Sequence, residues 1–496
     1  MKFSLSLVIC AVTFFALTAD AAQSAPSKAA PAAPGGKVFK AGAATSNISP
    51  RLGAGIVGGW SAPPAENIHD ELHVRCLALD DGTTKLVFAV VDSVGVSREI
   101  FDDAKKMVSE TTGVPVENMM MSATHTHSAV GSGGPSGGGS VDPLADYRKF
   151  LTKRIADGVR RALNNLEPAR IAWGSGNVPQ QHQFNRRWLL KDGKSTINPF
   201  GGQDFAVMNP GGRTDLQKPA GPTNPEVYFL SVQSTSGRPI ALLANYWLHY
   251  VGGVGPNDIS ADYFAVFCDR IQELLGADRQ DPPFVGVLAN GPCGDVNNNN
   301  YTPGAPPGPK YARYEKMRVV ANDVAQEVMR VHRTLQHRDW VELKSAQAEL
   351  ELQMRQPTPE MVTRAQEILA RPETVSPIHK REVDYARRTI AAKNWPEKVN
   401  IVMQAFRLDD LAIAAIPFET FTETGLEIKA KSPFKDTFTI ELANGSYGYL
   451  PTPEQHALGG YETWLGTNRV ETEASRKIVK KLLELFGQLH GSNPKS

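Results

Sequence analysis

The sequence contains few cysteines, has no excess of charge of either sign, and beyond its first residues lacks any apolar run long enough to span a bilayer. Its 496 residues include 4 Cys, and 53 Lys and Arg stand against 52 Asp and Glu, a formal net charge of +1. Proteins that bind nucleic acids or anionic membrane surfaces usually carry a basic excess. The composition therefore predicts neither partner, and it does not name a substrate.

The cysteines are too few and too scattered for a disulfide-stabilised scaffold. Cys10 lies in an apolar leader, which leaves Cys76, Cys268 and Cys293 in the rest of the chain. Three thiols form at most one intrachain disulfide, so at least one is free or paired between chains. Stability must come mainly from a hydrophobic core, which a chain of this length can bury.

The N-terminal residues have the layout of a cleaved secretory signal peptide, which predicts a secreted or periplasmic protein. Residues 1–21 place Lys2 before an apolar stretch at 5–17 and end in the triplet Ala-Asp-Ala. That stretch is too short for a mature membrane helix, and no transmembrane segment is predicted after it. Residues 22–36 are rich in Ala and Pro, which indicates a flexible linker. We therefore expect a single domain over 37–496.

Short apolar runs alternate with amphipathic segments along the chain, the pattern of an α/β fold. The runs at 85–92 (KLVFAVVD) and 118–123 suit buried strands, and residues 98–113 and 146–166 carry apolar side chains at helical spacing. Such alternation predicts a mixed sheet core covered by helices. Residues 352–398 are charged and mostly helical, and we interpret them as a peripheral helical insertion. No internal repeat is visible.

Two histidines follow the apolar run at 118–123. In a strand, residues two apart face the same side, so His125 and His127 can reach one point if the strand extends through Thr126. Imidazole is the commonest metal ligand among side chains. An HxH pair is a weak signal alone, and ordinary structural histidines explain it equally well. The glycine-rich residues 131–139 lack the lysine of a phosphate-binding loop, and we interpret them as a mobile rim.

Three further apolar runs end in polar side chains of the kinds that bind metals. His249 ends the run ANYWLH, Asp295 follows VLANGPCG and precedes four asparagines, and Glu419 follows AIPF. Each has a structural explanation, as a core histidine, a turn residue or a cap. Ligands bind outside the carboxyl ends of strands in α/β sheets, so these tips can converge with the histidine pair. Two histidines, a carboxylate and one open position form a catalytic zinc set.

Six short motifs together resemble the catalytic domain of the neutral and alkaline non-lysosomal ceramidases. They lie in the same order and at similar spacing over residues 42–487, with the weakest match across 352–398: THTHS at 124–128, FNRR at 184–187, LHY at 248–250 with ISAD at 259–262, CGDVN at 293–297, PFE at 417–419 and YGYLPT at 447–452. The resemblance covers only the N-terminal catalytic domain of that family, which carries an additional immunoglobulin-like domain.

The resemblance implies a zinc-dependent hydrolase that cleaves the amide bond of ceramide or of a related N-acyl compound. It further implies that His127 is an acid–base or supporting histidine and that Arg186 is a positive group beside the substrate. A phenol ligates only when a cation stabilises the phenolate, which bound zinc can do. The implied zinc ligands are His125, His249, Glu419 and Tyr449.

One position departs from the family pattern. The family has a nucleophilic serine where this sequence has Asn297, and an amide side chain cannot take that role. Cys293 is nearby, but free cysteine is among the most often buried residue types. We therefore predict attack by a metal-activated water, with His127 relaying the proton and Asn297 or Arg186 donating hydrogen bonds to the oxyanion. Asp295 is expected to orient one of these donors or a histidine beside the metal.

Two other functions remain open at this level because fold similarity does not transfer function. The same site can serve a zinc-dependent esterase or deacylase acting on a sugar-like substrate, or it can belong to a non-catalytic, zinc-stabilised binding protein. The cleft above His125 distinguishes the substrates. A deep apolar slot indicates a lipid, and a shallow polar bowl lined by the asparagines indicates a sugar.

Overall fold

The structure covers most of the chain but not its N-terminal residues or all of the glycine-rich loop. A computed structural model describes residues 36–132, 144–372 and 374–491. The predicted signal peptide, the predicted linker up to residue 35 and residues 133–139 of the glycine-rich loop lie outside the described residues. Those predictions, and the domain boundary at residue 37, stay predictions.

Twelve strands form two mixed sheets, as the alternation of apolar runs predicted. The first eight have the order β8-β7-β6-β5-β1-β2-β3-β4, and the last four have the order β9-β10-β11-β12. The pairs β3–β4, β7–β8 and β11–β12 are parallel, and the other pairs are antiparallel. In chain order the strands are β1 (Lys40–Asn47), β2 (His73–Asp80), β3 (Lys85–Val91), β4 (Met119–Ala123), β5 (Glu167–Asn177), β6 (Glu226–Ser234), β7 (Pro239–Tyr246), β8 (Val285–Asn290), β9 (Leu343–Gln353), β10 (Lys398–Leu408), β11 (Leu411–Ala415) and β12 (Asp436–Ile440).

Helices cover the outer faces of the two sheets, which pack face to face. The apolar cluster between the sheets includes Phe88 of β3 and Phe406 of β10, whose ring centroids lie 5.3 Å apart. Burying such a side chain fully is worth about 1.5–3 kcal/mol. The helices are α1 (Arg98–Thr112), α2 (Ala145–Asn164), α3 (Asp262–Leu274), α4 (Glu315–His332), α5 (Pro359–Ala370), α6 (Glu382–Ala392), α7 (Thr422–Lys431), α8 (Pro453–Leu458) and α9 (Ala474–Gly491).

The same βββαβα module occurs three times, although no repeat is visible in the sequence. Each module has three antiparallel strands, a helix, a fourth strand parallel to the third, and a closing helix. The modules are β1-β2-β3-α1-β4-α2, β5-β6-β7-α3-β8-α4 and β9-β10-β11-α7-β12-α9. Each carries an insertion between its first two strands, at 48–72, 178–225 and 354–397. A buried strand position requires an apolar residue of suitable volume, and several residue types meet that requirement. The three modules can therefore share a fold without visible sequence similarity.

The helical insertion predicted at 352–398 is the third of these insertions, and it holds α5 and α6. It is anchored to the body of the protein, which a purely solvated cover would not be. Within the insertion, the carboxylate of Glu382, which is 1 % exposed, pairs with Arg364 at 3.1 Å and with Arg371 at 2.6 Å. The ring of Tyr385 meets that of Trp464 edge to face, with centroids 5.0 Å apart. The insertion is therefore positioned to contribute to a binding site.

The described residues contain neither a disulfide nor a helix suited to crossing a membrane. Cys76, Cys268 and Cys293 are each buried and unbridged there. None of the described helices combines the length and the apolar character that a bilayer crossing requires.

Candidate active site

Three imidazoles meet beyond the ends of β4 and β7. The Nε2 atoms of His125 and His249 are 2.9 Å apart, and those of His127 and His125 are 3.1 Å apart. One ligand nitrogen of each ring lies within 4.8 Å of the others. His249 is fully buried, and His125 is 3 % exposed. The three nitrogens therefore face a common point that a metal ion can occupy.

The histidine pair reaches this point through a turn. The strand does not extend through Thr126, because β4 ends at Ala123, yet the two imidazoles still reach one point. His125 has a φ of 69°, in the left-handed region that residues other than glycine rarely adopt. Such a conformation costs of order 1–3 kcal/mol and persists only where its surroundings impose it. Here the backbone nitrogen of His125 donates to Ser93 O over 2.9 Å.

The loop after β7 carries His249 and is held by an aspartate of the ISAD motif. The buried carboxylate of Asp262 accepts hydrogen bonds from the backbone nitrogens of Val251 at 3.0 Å and Gly252 at 2.8 Å. Burial raises the pKa of Asp262 to about 6, although the backbone donors oppose the shift. This motif is therefore structural, since it fixes the loop that presents the imidazole.

The second ring nitrogens bind the main chain and so orient the lone pairs. His125 Nδ1 lies 2.6 Å from Val94 O, and His249 Nδ1 lies 3.1 Å from Cys293 O. A carbonyl oxygen only accepts, so these nitrogens carry the protons and both Nε2 atoms present lone pairs. Burial lowers the pKa of His127 and of His249 well below the usual histidine range. Both rings are therefore neutral at pH 7.

Glu419 and Tyr449 reach the cluster from the third module. Their two-residue strands, Glu419–Thr420 and Tyr449–Leu450, pair in parallel with Glu419 opposite Tyr449. Glu419 Oε2 lies 3.3 Å from His125 Nε2 and 3.7 Å from His249 Nε2. Tyr449 hydrogen-bonds with the carboxylate of Glu419. The structure thus brings together the four residues that the motifs named as zinc ligands.

The carboxylate and the phenol have different charges at neutral pH. Burial would raise the pKa of Glu419, but the neighbouring His125 and Tyr449 lower it below its usual value. Burial raises the pKa of Tyr449 well above its usual range. Glu419 is therefore ionised, and Tyr449 keeps its proton unless a cation stabilises the phenolate.

Arg186 enters the cluster from the insertion of the second module. Its Nη1 atom lies 3.4 Å from His249 Nε2, and its Nε donates to Glu462 over 3.0 Å. The guanidinium also lies over the ring of Tyr449, with its central carbon 5.3 Å from the centroid. Among the described residues its Nη2 atom is buried without a hydrogen-bond partner. That atom is the free donor beside the imidazoles.

Asp295 ties together the segments that carry Arg186 and Glu419. Its carboxylate accepts from Asn185 Nδ2 at 2.7 Å and from the backbone nitrogen and hydroxyl of Thr422 at 2.9 and 3.0 Å. Its backbone oxygen accepts from the nitrogen of Arg186 over 2.8 Å. Burial raises the pKa of Asp295 to about 6. Its contacts are those of a residue that positions two others.

Asn297 uses its side chain to hold a neighbouring amide. Asn297 Nδ2 donates to Asn209 Oδ1 over 2.8 Å, and Asn299 N donates to Asn297 Oδ1 over 3.0 Å. Donation to an oxyanion, as the sequence suggested for Asn297 or Arg186, would have to use the other hydrogen of Asn297 Nδ2, a nitrogen that also lies 3.5 Å from Tyr301 Oη. The next residue of the asparagine run is also committed to the fold, because Asn298 Nδ2 donates to Val251 O over 2.9 Å.

Two buried carboxyl groups beside the site escaped the sequence analysis. Glu462 binds both Arg186 and Arg187, and all three side chains are nearly or fully buried. Glu441 accepts from the backbone nitrogens of Cys293 at 3.3 Å and Thr420 at 2.8 Å, and burial raises its pKa well above the usual value. Neither glutamate lies in a recognisable motif, so only their burial distinguishes them. Cys293 is fully buried, as predicted, and burial raises the pKa of its thiol.

The side chains present fit a divalent cation. Among the described residues, Glu419 Oε2 is buried and has no hydrogen-bond partner, although it faces two imidazole nitrogens. An ionised group in an apolar interior is costly unless it is paired or binds a metal. A cation between the carboxylate and the nitrogen lone pairs satisfies all of these atoms at once. The site can therefore hold a metal ion.

A cavity of about 310 Å³ lies beside this site. All three insertions contribute to its wall: Trp60 from the first, Asn209 from the second and Lys380 from the third. Tyr461 also lines it, and the ring of Tyr461 lies 5.7 Å from that of Tyr449, centroid to centroid. The wall mixes aromatic and basic groups, so it matches neither a deep apolar slot nor a bowl of asparagines.

Comparisons with known proteins identify the fold. No protein-family model matches the chain, and no curated protein matches its sequence. A neutral ceramidase from Pseudomonas aeruginosa has a similar structure, with a TM-score of 0.67 at 18 % identity over 93 % of this chain and 76 % of that chain. A ceramidase complexed with C2 is similar over the same shares, with a TM-score of 0.67 at 16 % identity. The resemblance that the motifs predicted is thus confirmed at the level of architecture: this chain has the fold of the neutral ceramidases.

Proposed function

We propose that the protein is a secreted, zinc-dependent hydrolase that cleaves the amide bond of ceramide or of a related N-acyl compound. One observation carries the proposal, the buried and unpartnered Glu419 Oε2 that faces the imidazoles of His125 and His249. The likeness in fold to two ceramidases supports an amide substrate. The signal-peptide pattern of residues 1–21 supports secretion.

Zinc is proposed because of the ligand types. Two imidazole nitrogens and a carboxylate with room for a further group are characteristic of catalytic zinc, whereas calcium and magnesium prefer oxygen ligands throughout. When bound, zinc lowers the pKa of a coordinated water to about 7 and polarises a carbonyl. The residues that would hold it are His125, His249, Glu419 and Tyr449.

His127 is the proposed proton carrier. Its ring is neutral and stacks on Tyr250, with centroids 3.9 Å apart, so it is held in place and free to accept a proton. In the reaction a water oxygen bonds to the carbonyl carbon, and the bond from carbon to nitrogen breaks. The proton taken from the water passes through His127 to the leaving nitrogen, which gives a carboxylic acid and an amine. The free Nη2 of Arg186 can donate to the carbonyl oxygen as charge develops there.

His127→Gln separates this role from metal binding. We expect the variant to keep its zinc while its turnover falls by about 10²–10⁴. Elemental mass spectrometry of the purified protein measures the zinc, and fatty acid release from ceramide measures turnover. His490→Gln, a substitution at an exposed histidine, is the matched control. Loss of zinc in His127→Gln would instead make this imidazole a ligand.

A substrate panel tests the function itself. Purified protein is offered ceramide, simple esters and N-acyl sugars, and we expect hydrolysis of the N-acyl lipid. Faster hydrolysis of esters or N-acyl sugars would replace the proposed substrate. A zinc-loaded protein that hydrolyses nothing in the panel would be a binding protein, and a protein with no affinity for zinc would contradict the proposal entirely.

Gly58→Ala is expected to lower turnover by about 10²-fold, because small misplacements of reacting groups are costly. Gly58 hydrogen-bonds through its backbone to His127, and a Cβ at Gly58 would lie 2.6 Å from His127 Cγ and 2.8 Å from its Cα. The added methyl group must therefore displace the ring. Gly53→Ala is the control, because Gly53 also has a positive φ, 87°, but open space around its Cβ. Equal activity of the two variants would show that the contact with His127 does not matter.

A further inference from the structure

The cavity beside the metal site carries a local excess of positive charge. Among the described residues that line it, Arg213, Lys380 and Arg381 stand against the single carboxylate of Asp204. The whole chain is balanced, with a net charge of +1, so three cations against one anion is a property of this wall. The insertions supply it, since Arg213 belongs to the second and Lys380 and Arg381 to the third.

The carboxylate of Asp204 in the cavity wall already accepts hydrogen bonds from neighbouring side chains. Asp204 Oδ2 accepts from Trp464 Nε1 over 2.8 Å, and Asp204 Oδ1 accepts from Asn198 Nδ2 over 3.0 Å. Arg213 is held by Asp215 and Arg381 by Asp384, at 2.6 and 3.2 Å. Lys380 is exposed at the cavity and makes no ion pair within the described residues. The lysine is the charge that remains for a ligand.

Asn209 offers a second donor, and its orientation follows from a backbone group. The nitrogen of Asn299 can only donate, so the atom of Asn297 that it reaches must be the oxygen. The NH₂ group of Asn297 therefore faces Asn209, and the side-chain oxygen of Asn209 accepts its hydrogen bond. The hydroxyl of Tyr301 donates to that same oxygen over 3.1 Å. Within the described part of the chain, Asn209 Nδ2 thus has no hydrogen-bond partner, and Asn209 is an exposed residue of the cavity wall.

We propose that the cavity binds the carboxylate of an acidic N-acyl substrate, such as an N-acyl amino acid, with Lys380 Nζ and Asn209 Nδ2 as its donors. This rests on the proposed function and narrows its substrate class. A carboxylate only accepts hydrogen bonds, which matches a wall whose free groups are donors. At about 310 Å³ the cavity suits a small polar end. Tyr461 connects it to Tyr449, so the scissile amide lies toward the imidazoles.

The test compares two probes that differ only at the polar end, N-octanoylglycine and N-octanoylethanolamine. Rates of hydrolysis by the full-length, zinc-loaded protein are measured at pH 7, and calorimetry gives the dissociation constant of each probe. We expect the glycine compound to be preferred about tenfold or more, because a hydrogen bond to a charged group is stronger than one to a neutral group. The preference should shrink as salt is added, because exposed charges are screened.

Two variants and two matched controls test whether Lys380 and Asn209 cause the preference for N-octanoylglycine. Lys380→Gln should reduce the preference for the glycine compound to about threefold or less, since it removes the exposed charge that attracts the carboxylate. Asn209→Asp should reverse it, because the new carboxylate repels that of the ligand while still accepting from Asn297 and Tyr301. Lys393→Gln and Asn300→Asp make the same chemical changes at exposed positions, and they should leave the preference intact.

The outcomes separate this inference from the proposed function. Hydrolysis of both probes without a preference for the carboxylate would overturn the inference and leave the hydrolase intact. A calorimetric preference without hydrolysis of any amide would support the inference and count against the hydrolase. A preference that survives both Lys380→Gln and Asn209→Asp, or failure of the protein to bind either probe, would overturn the assignment of the cavity.

Discussion

Replacing His249 with alanine is expected to abolish zinc binding and reduce hydrolysis to the background rate. The ring is fully buried, and its Nε2 faces both His125 Nε2 and Glu419 Oε2. Bound zinc would lower the pKa of a coordinated water by several units, to about 7, so we expect loss of the metal to reduce activity more than any other single change. Zinc content and ceramide hydrolysis are measured together.

A thermal shift distinguishes a lost ligand from a damaged fold. A ligand that binds only the native state stabilises it by about 2.7 kcal/mol when present at 100 times its dissociation constant. Added zinc should therefore raise the melting temperature of the chelator-treated wild type and of His490→Ala, but not that of His249→Ala. A variant that keeps its zinc and its activity would remove His249 from the proposed ligand set.

Glu462→Ala is expected to lower the free energy of unfolding by about 3–5 kcal/mol, the cost of breaking a buried ion pair from one side. Glu462 accepts from Arg186 Nε at 3.0 Å and from Arg187 Nη1 at 2.7 Å, and the arginine side chains are 6 % and 0 % exposed. Without the carboxylate, two guanidinium groups stay in the interior with less compensation. Urea denaturation measures the loss.

An exposed ion pair provides the control for this substitution. Glu351 pairs with Lys398 at 2.7 Å, and both side chains are about half exposed, at 51 % and 50 %. Glu351→Ala should therefore cost only about 0–1 kcal/mol, the usual worth of a surface pair. A loss of similar size in Glu462→Ala would mean that the two arginines find water or other acceptors, and the charge of Arg186 would then not depend on Glu462.

The strands were predictable because their signal is local. An apolar run such as KLVFAVVD suits a buried strand whatever surrounds it, and it forms β3 (Lys85–Val91) in the structure. The module repeat was not predictable, because three sequences can fill equivalent positions with different apolar residues. The insertion at 354–397 was correctly expected to be helical. Its part in the cavity wall depends on its packing against Trp464, which nothing in its own residues indicates.

The candidate ligands were found in sequence through short motifs, and their geometry was found only in the fold. The HxH pair suggested an extended strand, whereas the backbone turns sharply at His125, with a φ of 69°. Asn297 or Arg186 was predicted to donate to the oxyanion, which stays a prediction, and the structure adds that the amide of Asn297 also holds Asn209. The sequence identified His125 and Asn297 as polar residues near the site. It could not identify their hydrogen-bond partners, Ser93 and Asn209, which lie in distant segments of the chain.

The amino-acid sequence by itself determined the kinds of atom available: imidazole nitrogens, a carboxylate, a phenol and a guanidinium, each beside an apolar run. Side-chain chemistry belongs to the residue, so it can be read without a structure. The tertiary structure alone decided which of these atoms meet. His125 and His249 are 124 residues apart, yet their Nε2 atoms lie 2.9 Å from each other. Their meeting depends on the packing of whole modules and on burial, which no stretch of sequence contains.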